Sequence, residues 1–278
     1  MKKLCVITLL AASSACACWG QDKAPAVAQT PAAAPATQSA PAQPAAQPQA
    51  KQAEAPAKSG VPTSPLLELK KKADAGDVAS QIKLGDMYAI GRETGRNLPE
   101  AAKQYKKAAE AGNPDAIMKL GLMTEGGFGI EKDFDAALKL YEKAAGQGII
   151  AAQMRLGTLY ENGVNVQKSG TKAIQYYKMA SDAGDKSATL RLASLYDRGL
   201  EEVPHDYTKA LELYKQLADS GNSDGEAAMG SMYEQGRGVP ANVDTAIEWY
   251  MKAAKHGNAV AVGALRNLGI TYKPQSSK

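Results

Sequence analysis

One glycine series recurs along the chain at almost constant spacing. Its members are separated by 36, 36, 36, 37 and 36 residues, at Gly76, Gly112, Gly148, Gly184, Gly221 and Gly257. A unit this short cannot bury an apolar face by itself and must stack against copies of itself. The sequence therefore predicts an extended array of repeats rather than a globule around one core.

Further columns with the same spacing predict that each unit is a helical hairpin. In the second unit Asn113 can cap a helix, Pro114 suits its first position, and Gly127 ends it. A second start signal recurs at Asn97, Asp133, Ser169, Asp206 and Asn242. Alanine follows each start by four residues and tyrosine by eight, which places both on one face of a second helix. The extra residue of the 37-residue unit lies between Gly199 and Asp206, where we expect a loop.

An apolar column and a small column describe how the helices pack. The apolar residues are Leu84, Leu120, Leu156, Leu192, Met229 and Leu265. A small residue follows each of the first five, namely Gly85, Gly121, Gly157, Ala193 and Gly230. We expect these small residues to face the alanines of a neighbouring helix at close approach, with tyrosine filling the remaining space and keeping its hydroxyl at a wet edge.

These columns resemble the Sel-1-like repeat, a relative of the tetratricopeptide repeat. The resemblance is carried by LGTLYENG at 156–163 and by MGSMYEQGRGVP at 229–240, and it covers about residues 75–257. It implies an all-α, α/α superhelical solenoid of about five hairpins with capping helices. We assign repeats to 77–112, 113–148, 149–184, 185–221 and 222–257. A capping helix is expected at 64–76, and a second, with a tail, at 258–278.

The N-terminal residues are typical of an exported protein. Residues 1–18 combine two lysines, a short apolar stretch and the A-x-A-like site Ala15-Cys16-Ala17. In a second interpretation Cys16 or Cys18 is lipidated, as in bacterial lipoproteins, although the usual leucine three residues earlier is missing. Residues 19–63 are rich in Pro, Ala and Gln and predict a disordered linker. The expected location is the periplasm, the outer membrane or the exterior.

Composition gives little indication of chemistry. All three cysteines lie in the leader, so we expect neither disulfides nor a thiolate metal site in the repeats, unlike the cysteine-rich Helicobacter members linked to β-lactams. His205 and His256 occupy non-equivalent positions. Ser80 and Lys83 form an S-x-x-K sequence without the S-D-N or K-T-G that accompanies it in penicillin-recognising enzymes. We predict no catalytic residue, metal or cofactor, and the nearly neutral repeats do not favour nucleic acid.

One basic column is the candidate binding site. Lys83, Lys119, Arg155 and Arg191 precede the apolar column, with Asp86, Leu122 and Thr158 as variable neighbours. In one interpretation these cations bind an acidic segment of a protein partner. In the other they form a solvated edge with local pairs such as Asp115 to Lys119. The acidic series Glu125, Glu161, Asp197 and Glu234 is equally ambiguous.

Three functions are consistent with this sequence. The first is an envelope scaffold that binds a protein or peptide, as the resemblance implies. The second is an envelope enzyme acting on a β-lactam or peptidoglycan, which rests on family analogy alone. The third is a structural adaptor that associates with itself through its end caps.

Overall fold

The computed structural model describes residues 64–200 and 202–273. The predicted export signal, the linker, Cys16 and Cys18 lie outside these residues. Within them the chain forms twelve α-helices: α1 (Pro65–Asp74), α2 (Val78–Ile90), α3 (Leu98–Glu110), α4 (Pro114–Gly126), α5 (Phe134–Gly146), α6 (Ile150–Asn162), α7 (Gly170–Asp182), α8 (Lys186–Arg198), α9 (Tyr207–Asp219), α10 (Ser223–Gln235), α11 (Val243–Lys255) and α12 (Ala259–Asn267).

The helices pack as a linear array of hairpins. Five hairpins are formed by α2–α3, α4–α5, α6–α7, α8–α9 and α10–α11, and each helix packs mainly against its neighbours in sequence. Helix α1 occupies the place of a second helix before the first hairpin, and α12 that of a first helix after the last. The prediction of an all-α solenoid of five hairpins with capping helices is confirmed.

The predicted caps explain where the helices begin and end. The side chains of Asn97, Asp133, Ser169, Asp206 and Asn242 each accept a hydrogen bond from a backbone N–H of the following first turn. Asn113 does the same for α4, whose first residue is Pro114. Gly127 follows that helix with φ +69°, the left-handed conformation that glycine adopts most easily. Local sequence therefore sets the helix boundaries.

The small column makes room for tyrosine rings rather than for alanines. A Cβ atom placed on Gly157 would lie 2.5 Å from Cε1 of Tyr177, and one on Gly121 would lie 2.7 Å from Cε1 of Tyr141. Both tyrosines have no exposed surface. The expectation that the glycines face alanines is wrong, because the ring itself lies against the bare glycine backbone.

The fourth repeat differs from the others in two ways. Its extra residue lies in the loop between α8 and α9, as predicted, and Leu200 and Val203 form a β-bridge there. Its small column holds Ala193, which is fully buried. Among the described helices none has the length and hydropathy to cross a membrane.

Candidate functional site

The predicted basic column lies on the surface formed by the first helices of the repeats, here called the first-helix layer (α2, α4, α6, α8 and α10). Tyrosine hydroxyls from the second helices reach this surface. Each donates a 2.6 Å hydrogen bond to a carboxylate on the first helix of its own repeat: Tyr105 to Asp86, Tyr141 to Glu125, Tyr177 to Glu161 and Tyr250 to Glu234. The tyrosine column thus orients Asp86 and three members of the acidic series.

Cations of the next repeat pair with three of these carboxylates and with Asp197 of the fourth repeat. The pairs are Lys119 with Asp86, Arg155 with Glu125, Arg191 and Arg198 with Glu161, and Arg237 with Asp197. Each pair joins the first-helix side of one repeat to that of its neighbour. Three members of the basic column and three of the acidic series therefore take part in one set of contacts between repeats.

This arrangement differs from the interpretation of the basic column as a solvated edge with local pairs. Lys119 pairs with Asp86 of the preceding repeat, so the expected local pair between Asp115 and Lys119 is wrong. The charges of Lys119, Arg155 and Arg191 are largely balanced inside the array. Lys83 is the exception, since it forms no ion pair with any described residue. Binding of an acidic partner by the whole column stays a prediction.

Burial and hydrogen bonding set the protonation states in this layer. Burial alone would raise the pKa of Glu125, but hydrogen bonds from Arg155 and Tyr141 outweigh it and hold that pKa below its ordinary value. Burial first, and the hydrogen bond to Glu161 second, raise the pKa of Tyr177 to about 12. Glu125 is therefore ionised and Tyr177 is a hydrogen-bond donor at neutral pH.

The fourth repeat has a variant of the same contacts. Within the described residues Tyr214 makes no hydrogen bond to a carboxylate, and Ala193 stands where glycine accommodates the ring elsewhere. Burial and the charge of Asp197 still raise the pKa of Tyr214 to about 12. The cation for Asp197 is Arg237, from the loop after α10, because the basic column is interrupted at Ala228. Column analysis missed Arg237 for that reason.

A groove with an apolar floor opens beside the first of these pairs. It has a volume of about 270 Å³ and lies between the first two repeats; we call it the 1–2 groove. Leu122 and Phe128 line it with side chains that are 44% and 54% exposed. Arg96 and Lys119 also line it. Among the described residues Arg96 has no ion-pair partner, so the groove combines an apolar surface with unbalanced positive charge.

The remaining predicted residues lie elsewhere. The Thr158 hydroxyl is 3.1 Å from that of Tyr177 and also donates to the carbonyl oxygen of Met154, within the helix. Lys83 lines a separate groove at the N-terminal end of the array. The structure therefore brings only Lys119 and Leu122 together in the 1–2 groove. Phe128 and Arg96 were missed because neither belongs to a repeated column.

The two histidines lie apart. The His256 Nδ1 atom is 2.7 Å from Oε2 of Glu226, whose side chain has no exposed surface. His205 Nδ1 is 2.7 Å from the carbonyl oxygen of Asp197. Across the described residues no group of three or more His, Cys, Asp or Glu side chains could hold a metal ion.

Comparison with known families gives a clear result. The model of the Sel1 repeat matches five consecutive segments, at 78–113, 114–149, 150–185, 186–222 and 223–258. The chain belongs to the Sel1 repeat family. The family boundaries fall one residue after those assigned from the glycine spacing, and the resemblance seen in the columns is confirmed.

Solved structures of other Sel1 repeat proteins share this fold. A protective antigen present in uropathogenic Escherichia coli strains, which displays an SLR fold, is 31% identical with a TM-score of 0.66 over 77% of this chain. The chain covers 46% of that protein, less than half its length. A Sel1 repeat protein from Oxalobacter formigenes is 32% identical with a TM-score of 0.57, over 73% of this chain and 89% of that one. The curated proteins contain no significant match.

Proposed function

We propose that this Sel1 repeat protein is an exported scaffold that binds a segment of another protein in the bacterial cell envelope. The 1–2 groove is the observation that carries the proposal. Its occupant is an extended acidic segment that inserts one large apolar side chain between Leu122 and Phe128. Carboxylates flanking that side chain pair with Arg96 and Lys119. Extended repeat surfaces bind partners in this way, through modest contacts spread along the array.

Charge and exposure both favour this occupant. Leu122 and Phe128 are about half exposed and line the same groove, so an apolar side chain of a partner can be buried against both. Arg96 has no ion-pair partner among the described residues. Lys119 is 35% exposed although it pairs with Asp86, so its charge also reaches the groove. An apolar anchor with carboxylates complements both features.

The direct test uses defined peptides rather than an extract. Fluorescein-labelled 12-residue peptides would carry one Leu or Phe among Asp and Glu residues, and matched peptides would carry Asn and Gln instead. Fluorescence anisotropy against the purified protein should detect binding of the acidic set, weakened by salt. Leu122→Asp should weaken binding about tenfold or more, because it removes the apolar wall and adds a negative charge.

Matched variants separate the groove from the basic column. Lys139→Gln removes an exposed cation of α5 that does not line the groove, and it should leave binding unchanged. Arg96→Gln should weaken binding, and the joint replacement of Lys83, Lys119, Arg155 and Arg191 by Gln should weaken it further only if the whole column takes part. Equal affinity of wild type, Leu122→Asp and Arg96→Gln for every peptide would exclude this groove as the site.

The envelope location is supported by the leader sequence. The E. coli relative is described as a protective antigen, which also fits an exported protein. If Cys16 or Cys18 is lipidated, residues 19–63 tether the repeats to a membrane. Cleavage at the A-x-A-like site would release them instead. The intact mass of the native N-terminus distinguishes the two, because diacylation adds a large, defined increment.

The other two functions have direct assays. Hydrolysis of nitrocefin by the purified protein would support an enzyme acting on β-lactams, and a muropeptide digest would test peptidoglycan. Light scattering after size exclusion would detect a structural adaptor as a species of two or more chains. No contact within the described residues favours either function over partner binding.

A further inference from the structure

The N-terminal end of the array is an incomplete repeat. Helix α1 packs against α2 in the place of a second helix, and Leu69 stands one period before Tyr105. In the repeats that have glycine in the small column, the tyrosine equivalent to Leu69 packs against that glycine, which lies in the first helix of the same repeat. Leu69 has no such helix against it within the described residues. Among the described residues, this position is a groove of about 670 Å³ between α1 and α2.

One cation in this groove, Lys83, belongs to the basic column, whose other members all form ion pairs. Lys83 lines it, one period before Lys119. The same column pairs with a carboxylate of the preceding first helix at Lys119, Arg155 and Arg191. Lys72 and Arg92 also line the groove without an ion pair among the described residues, and Glu68 and Glu93 are its acidic members. If Lys83 follows the same pattern, it pairs with a carboxylate of a helix that binds in this groove.

The sequence just upstream does not have the pattern of such a helix. One period before α2 the sequence is AQPAAQPQAKQAE, at 42–54. Pro48 falls where the apolar column has Leu84, and Gln49 falls where the small column has Gly85. Proline at an interior helical position removes a backbone hydrogen bond and clashes with the preceding turn, so this stretch does not match the pattern of a first helix.

A second copy of the chain is also a poor occupant. Within the described residues its α12 is a first helix with no second helix after it, and head-to-tail stacking would place it in this groove. However, Arg266 stands in the small column of α12, where even a Cβ atom meets the ring in other repeats. Ile270 stands in the acidic column. Stacking would bring Arg266 toward Leu69, Lys72 and Lys83. The arginine side chain would overlap Leu69, and its charge would be repelled by the two lysines.

We propose that this groove, here called the N-terminal groove, binds an amphipathic helix of a different protein, which completes the half repeat. The helix presents a glycine or alanine to Leu69 and a carboxylate four residues later to Lys83, as Gly157 and Glu161 are spaced in α6. The partner thus extends the solenoid by one first helix. The site is separate from the 1–2 groove and does not depend on it.

A synthetic copy of α6 is a direct probe. The peptide IAAQMRLGTLYEN, capped at both ends and labelled with fluorescein, carries the small residue and the carboxylate at the required spacing. Anisotropy titration with the full-length protein should show binding. Replacing Gly157 of the peptide by Arg should abolish it, because that change reproduces the α12 pattern. A peptide of the same composition in shuffled order controls for nonspecific binding.

Charge reversal identifies the groove. Lys83→Glu should weaken binding about tenfold, and the peptide with Glu161→Lys should recover affinity for that variant but not for wild type. Lys139→Glu, on the exposed face of α5, is the matched control. Leu122→Asp should leave binding of this peptide unchanged, which separates the N-terminal groove from the 1–2 groove. Absence of binding, or equal binding to wild type and Lys83→Glu, would overturn the proposal.

Discussion

Gly157→Val tests the packing of tyrosine rings against the small column. A Cβ atom on Gly157 would lie 2.5 Å from Cε1, 2.6 Å from Cδ1 and 2.9 Å from Cζ of Tyr177. Carbon atoms normally approach to about 3.5–4.0 Å, so the ring must retreat by about 1 Å. It is fully buried, and its hydroxyl is held by Glu161 at 2.6 Å. Relief therefore requires moving α7 or breaking that bond.

The expected cost lies at the upper end of the range for overpacked cores, about 3 kcal/mol. Valine exceeds glycine in helix propensity by only a few tenths of a kcal/mol, which does not offset it. For an array of this size the melting temperature should fall by about 6–12 °C. Urea denaturation followed by circular dichroism at 222 nm measures the same loss as a lower midpoint.

Gly263→Val is the matched control for this prediction. Gly263 is also inside a helix, α12, but a Cβ atom there would meet nothing within 4 Å. The same substitution should change stability by about 0.5 kcal/mol or less. Equal effects at the two positions would refute the argument, because the cost would then come from helix propensity and not from the tyrosine ring.

Three other outcomes are expected. The pKa of Tyr177 in the folded protein is raised from 10.0 to about 12, so its contribution to stability is complete below pH 10 and is lost as pH rises through 12. The difference in absorbance at 295 nm between wild type and Tyr177→Phe should titrate near pH 12. A midpoint near 10 would contradict the buried hydrogen bond. His256→Ala removes a partner 2.7 Å from the fully buried Glu226 and should cost about 1–3 kcal/mol in urea titrations, whereas the joint change with Glu226→Met should recover part of that loss. From its composition, the segment between Ala24 and Pro62 should be cut first in limited proteolysis, leaving a fragment that begins near Ser64; first cuts within the repeats would contradict this assignment.

The candidate sites were only partly predictable from sequence. Lys119 was found because it belongs to a repeated column, and Leu122 because it is a variable neighbour of that column. Arg96, Phe128 and Arg237 were missed because they lie in or next to loops that differ between repeats. The partner of Lys119 was also missed, since Asp86 is 33 residues earlier in sequence and becomes a neighbour only when α4 stacks against α2.

By itself the sequence determined the fold of each repeat as a helical hairpin. Glycine spacing, cap residues and helical columns are local signals, and each acts within one turn or one hairpin. Only the tertiary structure decided which columns contact one another. It placed a tyrosine ring on each glycine of the small column, and it joined carboxylates of one repeat to cations of the next. These contacts cross between helices, so they depend on the offset and angle of stacking, which no single repeat encodes.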